Sequence, residues 1–68
     1  MMADVESYGA YDTDGGCLTS VLALNVKEAA ERLEVELKKP GRLPAYRRWE
    51  EAGKPVKVRT AYMVMLDA

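Results

Sequence analysis

The chain has 68 residues, with 10 Lys or Arg, 11 Asp or Glu and no His, so its formal net charge at pH 7 is −1. Cys17 is the only cysteine, which excludes an internal disulfide and, without histidine, argues against a structural zinc site. A chain this short predicts one small domain over residues 1–68, with a core that gives only marginal stability by itself. We therefore expect no cofactor, and we expect binding to another chain to contribute stability.

The N-terminal residues contain neither the basic region nor the apolar region of a secretory signal. The longest apolar run, Ala61 to Leu66, is far shorter than the about 20 residues that span a bilayer. We therefore expect a cytoplasmic protein with no membrane partner. Cys17 is expected to pack as a small hydrophobic residue.

The first half of the chain predicts a β-hairpin. Val5 to Tyr11 and Cys17 to Leu24 are strand segments, and the second places Leu18, Leu22 and Leu24 on one face. Residues 12–16, Asp-Thr-Asp-Gly-Gly, supply the positive φ angles that a hairpin turn needs. The same residues share the start of a calcium-binding EF-hand loop, but Ala occupies the position of the required Glu, which favours a plain hairpin.

A capped amphipathic helix follows the hairpin. Asn25 is a good N-cap residue, and Glu28 stands at the capping-box spacing. The apolar residues that follow recur at helical spacing and form one stripe: Val26, Ala29, Ala30, Leu33 and Leu37. Pro40 and Gly41 end the helix. Val35 points away from this stripe and is either an ordinary exposed residue or a contact with a partner.

A short second helix and a last strand complete the pattern. Pro44 suits the first turn of a helix and Gly53 its end, with Ala45, Trp49 and Ala52 facing inward. Val56 to Leu66 then predicts a strand whose second half is apolar on both faces.

These elements predict an α+β fold in the order β-β-α-α-β. A three-stranded sheet, antiparallel or mixed, carries the main amphipathic helix on one face together with the short second helix. We expect the first strand in the middle, giving the strand order 2-1-3.

Charge is distributed unevenly along the chain. Residues 1–37 contain eight acidic and two basic residues, a net charge of −6. Residues 38–59, the basic segment, contain eight basic and two acidic residues, a net charge of +6. Such a division indicates where charged partners bind, and it says little about the fold.

The acidic half supplies one set of candidate binding residues. We expect the first helix or the hairpin turn to contact a larger protein or nucleoprotein complex, in which acidic groups occupy a basic channel. The candidate protein-binding residues are Asp12, Asp14, Glu28, Glu31, Glu34 and Val35. The alternative is that an acidic helix face is merely solvated.

The basic segment supplies the rival set, because guanidinium groups beside aromatic rings can bind phosphates and stack on bases. The candidate nucleic-acid-binding residues are Arg42, Tyr46, Arg47, Arg48, Trp49, Lys57 and Arg59. The alternative is that Trp49 closes the small core and that the arginines are solvated or paired with the acidic helix. A chain of net charge −1 is also unlike the strongly basic domains that usually bind nucleic acid.

The sequence does not predict an enzyme. It contains no His, no Gly-rich phosphate loop and no GxSxG motif. Asp12 and Asp14 lie in a predicted exposed turn, where nothing would adapt a carboxylate to acid–base catalysis.

The run Ala23-Leu24-Asn25-Val26-Lys27-Glu28-Ala29-Ala30 resembles many small phage and mobile-element proteins. It is similar to parts of HicB-type antitoxins and of some anti-CRISPR proteins, although the sequence lacks the additional strand and the DNA-binding segment of HicB proteins. The resemblance implies an interaction protein, such as an inhibitor of a host nucleoprotein complex, and it transfers no site residues.

We therefore predict a non-enzymatic protein-binding module, with nucleic-acid binding through the basic segment as the alternative. We also consider a homodimer, because Val35, Met63 and Met65 offer apolar surface that a second copy would cover.

Overall fold

The computed structural model describes residues 5–59, which form one open three-stranded sheet and two helices. In chain order the elements are β1 (Glu6–Tyr11), β2 (Cys17–Ala23), α1 (Val26–Leu37), α2 (Leu43–Glu51) and β3 (Val56–Val58). The predicted α+β class and element order are confirmed. The last strand was predicted to reach Leu66, and the part of it beyond residue 59 lies outside the described residues.

The strand order is β2-β1-β3, as predicted, with both neighbouring pairs antiparallel. β1 is therefore central, and β2 and β3 are the two outer strands of the described sheet. The turn between β1 and β2 is held by Asp12, whose Oδ1 accepts hydrogen bonds from the backbone N–H groups of Asp14 at 2.9 Å and Gly16 at 2.8 Å. Gly15 adopts φ +80°, which a glycine accommodates without strain.

A β-bulge changes which leucines face the helices. Ala10 pairs with Thr19 and Tyr11 with Cys17, so Leu18 is an additional residue in β2. Because the alternation is shifted there, Leu18 packs against the core, as does Val21. Leu22 stays on the opposite face of the sheet and is 61% exposed, so the expected common face of Leu18 and Leu22 is wrong.

The core lies between the sheet and the two helices. Its larger cluster contains Ala10, Leu33, Leu37 and Trp49, all nearly or completely inaccessible to solvent. A smaller cluster of Tyr8, Ala23 and Ala29 continues it toward the beginning of α1. The alanines leave room for helix and sheet to approach each other, while the large side chains fill the space nearer α2.

The first helix begins where the sequence predicts. Asn25 Oδ1 accepts the N–H of Glu28 at 2.9 Å, and Glu28 Oε1 accepts the N–H of Leu24 at 3.1 Å. These two bonds satisfy backbone donors that the helix itself cannot bond. Val26, however, is 54% exposed, so the buried stripe is narrower than predicted and centres on Ala29, Leu33 and Leu37.

Candidate protein-binding groove

An open groove of about 670 Å³ runs between β2 and α1. We call it the β2–α1 groove. Three consecutive residues of β2 form one wall, and α1 forms the other. The lining residues are Ser20, Val21 and Leu22 from β2, and Glu28, Glu31, Arg32, Val35 and Glu36 from α1.

The outer edge of β2 gives this groove backbone hydrogen-bonding groups. The carbonyl of Leu22 accepts a bond from Arg32 Nη1 at 3.1 Å, so it points away from β1. In an antiparallel pair the polar groups of alternate residues point the same way, so the N–H and C=O of Ser20 also point outward. Within residues 5–59 no other strand pairs with this edge.

Val35 gives the groove exposed apolar surface. It is 68% exposed and lies on the side of α1 away from the buried Leu33 and Leu37. Val21 is half-buried and reaches both the core and the groove. An apolar strip beside a row of backbone polar groups is the combination found where proteins bind extended peptides.

The groove has a net acidic lining, with three glutamates against one arginine. Glu28 lies 3.5 Å from Arg32, and Glu36 bonds to Lys39 at 3.0 Å. Glu31 forms no ion pair with any of residues 5–59. Glu31 is therefore the carboxylate most available to a cation from a partner.

Glu34, the remaining acidic candidate on α1, does not belong to the groove. Its carboxylate pairs with Lys54 and with Lys38 at 3.3 Å, and it accepts the hydroxyl of Tyr46 at 3.0 Å. The hydrogen bond from Lys54 lowers the pKa of Glu34, with smaller contributions from Tyr46 and Lys38, against the opposing effect of burial. Glu34 thus ties α1 to the segment after α2.

Replacing Glu34 by Gln should destabilise the fold at neutral pH and much less in acid. The pKa of Glu34 is below its ordinary 4.5, so its stabilisation is present above pH 4.5 and is lost as pH falls through the folded-state pKa. The same bond raises the pKa of Lys54 above its ordinary 10.5, so its stabilisation is present below pH 10.5 and lost at higher pH.

Urea unfolding of wild type and Glu34→Gln at pH 7 and at about pH 3, below the ordinary pKa of glutamate, measures this effect. Glu31→Gln is the matched control, because Glu31 lies on the same helix without an ion pair in the described chain. Equal destabilisation by Glu34→Gln at both pH values would contradict the assigned network.

Asp12 and Asp14, the predicted protein-binding residues of the hairpin, lie apart from the groove at the turn between β1 and β2. The Asp12 carboxylate is used within the turn by its bonds to Asp14 and Gly16. Asp14 is exposed. The structure therefore brings together Glu28, Glu31 and Val35 from the predicted protein-binding set and separates the other three.

The aromatic residues of the basic segment are used mainly by the fold. Trp49 is 1% exposed, and its indole N–H donates to the Pro55 carbonyl at 3.0 Å. Tyr46 packs edge-on against Trp49, with ring centroids 6.0 Å apart, and Lys38 and Lys54 approach its ring. Trp49 therefore closes the core, and its buried ring offers no face on which a base could stack.

The basic candidates are distributed over different surfaces. Arg42 donates to Thr19 at 3.3 Å and lies 3.9 Å from Glu36, beside the end of α1. Lys57 alternates with the core-facing Val56 and approaches the Tyr11 ring at 5.5 Å, so it lies on the sheet face opposite the helices.

Arg59 follows on the same face as Lys57. Its Cδ would be 2.8 Å from a Cβ on Gly9, so the glycine is what allows this close approach. Arg47 and Arg48 are exposed on α2 and form no ion pair within residues 5–59. The predicted basic residues therefore do not form one patch. Arg47 and Arg48 lie on α2, whereas Lys57 and Arg59 lie on the sheet face opposite the helices.

Sequence reasoning did not place Ser20, Val21, Leu22 or Arg32 at a site. The available signal was the predicted strand order, which makes β2 an outer strand, together with the helix that directly follows it. A helix packed over an outer strand leaves a groove along that strand.

Comparison with known protein families, curated proteins and solved structures finds no match to this chain. The resemblance to HicB-type antitoxins and anti-CRISPR proteins therefore stays a prediction. Within residues 5–59 no three His, Cys, Asp or Glu side chains are arranged to hold a metal ion. Neither helix of that part of the chain has the length and apolarity needed to cross a membrane.

Proposed function

We propose that this chain is a non-enzymatic protein-binding module whose interface is the β2–α1 groove. The observation that carries the proposal is the exposed Val35 beside the outer edge of β2, with which no other strand within residues 5–59 pairs. A binding partner would cover apolar surface and satisfy backbone groups in one step. The groove is open to water, and its carboxylates lack the water-excluded surroundings that catalysis by such groups requires.

Binding would also support the fold. A domain of this size buries about 60% of the surface of its unfolded chain, which gives marginal stability. A partner that binds only the folded state stabilises it further by mass action. A partner bound in the groove would thus add stability that the small core does not provide.

Replacing Val35 by Lys should abolish capture of the native partner, because a charged group would replace the apolar surface of the groove. The tagged protein is purified from its native host, and co-purifying proteins are identified by mass spectrometry. Leu43→Lys is the matched control: Leu43 is 54% exposed but lies at the start of α2, outside the groove. We expect at least a tenfold loss of partner for Val35→Lys and none for the control.

Three results would contradict the proposal. Recovery of the wild-type protein alone, at its monomer mass, argues against a partner. Loss of the partner with Leu43→Lys but not with Val35→Lys places the interface on α2. A wild-type dimer by light scattering would indicate the homodimer instead.

The narrower hypothesis is that the partner belongs to a host nucleoprotein complex, which this protein inhibits. The acidic lining of the groove supports it, since surfaces that bind nucleic acid are basic. Identification of the captured partner tests it directly.

Nucleic-acid binding is the second candidate, favoured by the exposed and unpaired state of Arg47 and Arg48 within the described chain. If it is correct, affinity for a single-stranded oligonucleotide should fall with salt, by a log–log slope of about −0.7 for each phosphate neutralised. Replacing both arginines by Ala should flatten the slope by about one to two such steps.

Lys38→Ala with Lys39→Ala removes the same charge from the end of α1 and is the control for Arg47→Ala with Arg48→Ala. The control should leave the slope unchanged if α2 makes the phosphate contacts. No binding by the wild type at about 50 mM salt, where the electrostatic contribution is strong, would eliminate this candidate.

A further inference from the structure

We propose that the β2–α1 groove binds an extended segment of a partner protein in which basic and apolar residues alternate, and that this segment adds to the sheet as a strand beside β2. The inference rests on the proposed function and specifies the chemistry of its partner. Strand addition uses backbone hydrogen bonds for affinity and alternate side chains for specificity.

Two residues at the outer edge of β2, Ser20 and Leu22, have backbone polar groups that point away from β1. Ser20 offers an N–H and a C=O, and Leu22 offers an N–H and the C=O now bonded to Arg32. A partner strand placed along β2 would bond to both residues. β2 has seven residues, so its edge is about 23 Å long at about 3.3 Å per residue and can accompany a segment of comparable length.

The two faces of an added strand would meet different side chains of this protein. Side chains facing α1 would meet the apolar surfaces of Val21 and Val35 and, beyond them, the carboxylate of Glu31. Lys and Arg suit these positions, because their aliphatic stems pack on apolar surface while their charged ends reach a carboxylate. Side chains on the other face would lie beside Leu22, which is 61% exposed, so apolar residues suit those positions.

The net negative charge of the groove lining favours a basic partner strand over a second copy of this chain. The groove lining carries three glutamates and one arginine, and β2 itself, Cys-Leu-Thr-Ser-Val-Leu-Ala, contains no charged residue. Pairing two β2 edges would bring together two linings of net negative charge. Arg32 is already paired with Glu28, and Lys39 with Glu36, so neither lining would offer the other an unpaired cation. A basic partner strand would complement the same lining.

Arg32 regulates access to the edge. Its guanidinium lies between the Leu22 carbonyl, at 3.1 Å, and Glu28, at 3.5 Å. A charged side chain over an outer strand protects it from indiscriminate pairing. The same group repels a basic partner and must leave the Leu22 carbonyl when a strand binds.

The probe is an acetylated, amidated octapeptide of alternating Val and Lys, titrated into the full-length protein and followed by amide NMR shifts. We expect saturable shifts at Ser20, Val21 and Leu22 and slowed hydrogen exchange of the Ser20 amide. The corresponding peptide of Val and Glu should not bind. Glu31→Lys should weaken the Val-Lys peptide at least tenfold, whereas Glu50→Lys, the same charge change on exposed α2, should not.

Two N-methylated peptides test strand addition itself. One carries N-methyl groups on two central Val residues and the other on two central Lys residues. Alternate amides of a strand point to opposite sides, so only one of the two peptides should lose binding, by about tenfold or more. Arg32→Gln should tighten binding of the unmodified peptide several-fold, because the competing cation is removed.

The outcomes distinguish this inference from the proposed function. Equal effects of the two N-methylated peptides, or shifts confined to α2, would overturn strand addition. A Val-Lys peptide that does not bind, with native partner still captured and lost in Val35→Lys, would overturn the inference and leave the proposed function standing. Absence of both peptide binding and partner capture would remove both. A wild-type dimer whose interface contains Ser20 and Leu22 would assign the groove to a second copy and overturn the inference.

Discussion

Replacing Trp49 by Ala should lower the free energy of unfolding by about 3–5 kcal/mol, the range for removing a buried large aromatic side chain. Trp49 is 1% exposed and belongs to the same cluster as Ala10, Leu33 and Leu37. The substitution also leaves the Pro55 carbonyl without its indole donor. Since a core of this size contributes only about 3–5 kcal/mol, we expect the variant to be largely unfolded at 25 °C.

Circular dichroism and urea unfolding measure this result, and two variants identify its cause. Trp49→Phe retains most of the ring and loses the hydrogen bond, so it should fold with reduced stability. Leu43→Ala removes a large apolar side chain that is 54% exposed and should cost little. A cooperative transition for Trp49→Ala with nearly wild-type stability would show that Trp49 does not close the core.

The elements were predictable because their signals are local. The bonds of Asn25 and Glu28 begin α1, and Asp12 with Gly15 closes the hairpin. These interactions join residues at most four positions apart, so their residue types alone specify them. The strand order is a non-local feature: β3 could pair with the outer edge of β1 or of β2, and it takes that of β1.

The candidate site was less predictable, because its geometry depends on packing. Glu31 and Glu34 look equivalent in sequence, yet Glu31 lines the groove while Glu34 turns toward Lys54, twenty residues away. The bulge at Leu18 follows from a one-residue offset in strand pairing, which no side-chain pattern reveals. Trp49 fitted both a core and a stacking surface until its burial distinguished them.

Leu33→Ala is the second substitution with a large expected effect, about 2–5 kcal/mol of destabilisation. Leu33 is completely buried in the cluster formed by α1, α2 and β1. Its removal would leave a cavity in the cluster that also contains Ala10, Leu37 and Trp49, and the surrounding structure would close this cavity only partly. The helix itself would not be weakened, since Ala has the highest helix propensity. The decrease in the free energy of unfolding would therefore be due to lost packing between the helices and the sheet.

Val35→Ala provides the matched comparison two residues along the same helix. Val35 is 68% exposed and belongs to the groove, so truncating it removes little buried surface, and the gain in helix propensity offsets part of any loss. We expect its urea midpoint to stay near that of the wild type while that of Leu33→Ala falls steeply. If Val35→Ala were the more destabilising of the two, Val35 would be part of the core, and the β2–α1 groove could not be a free binding surface.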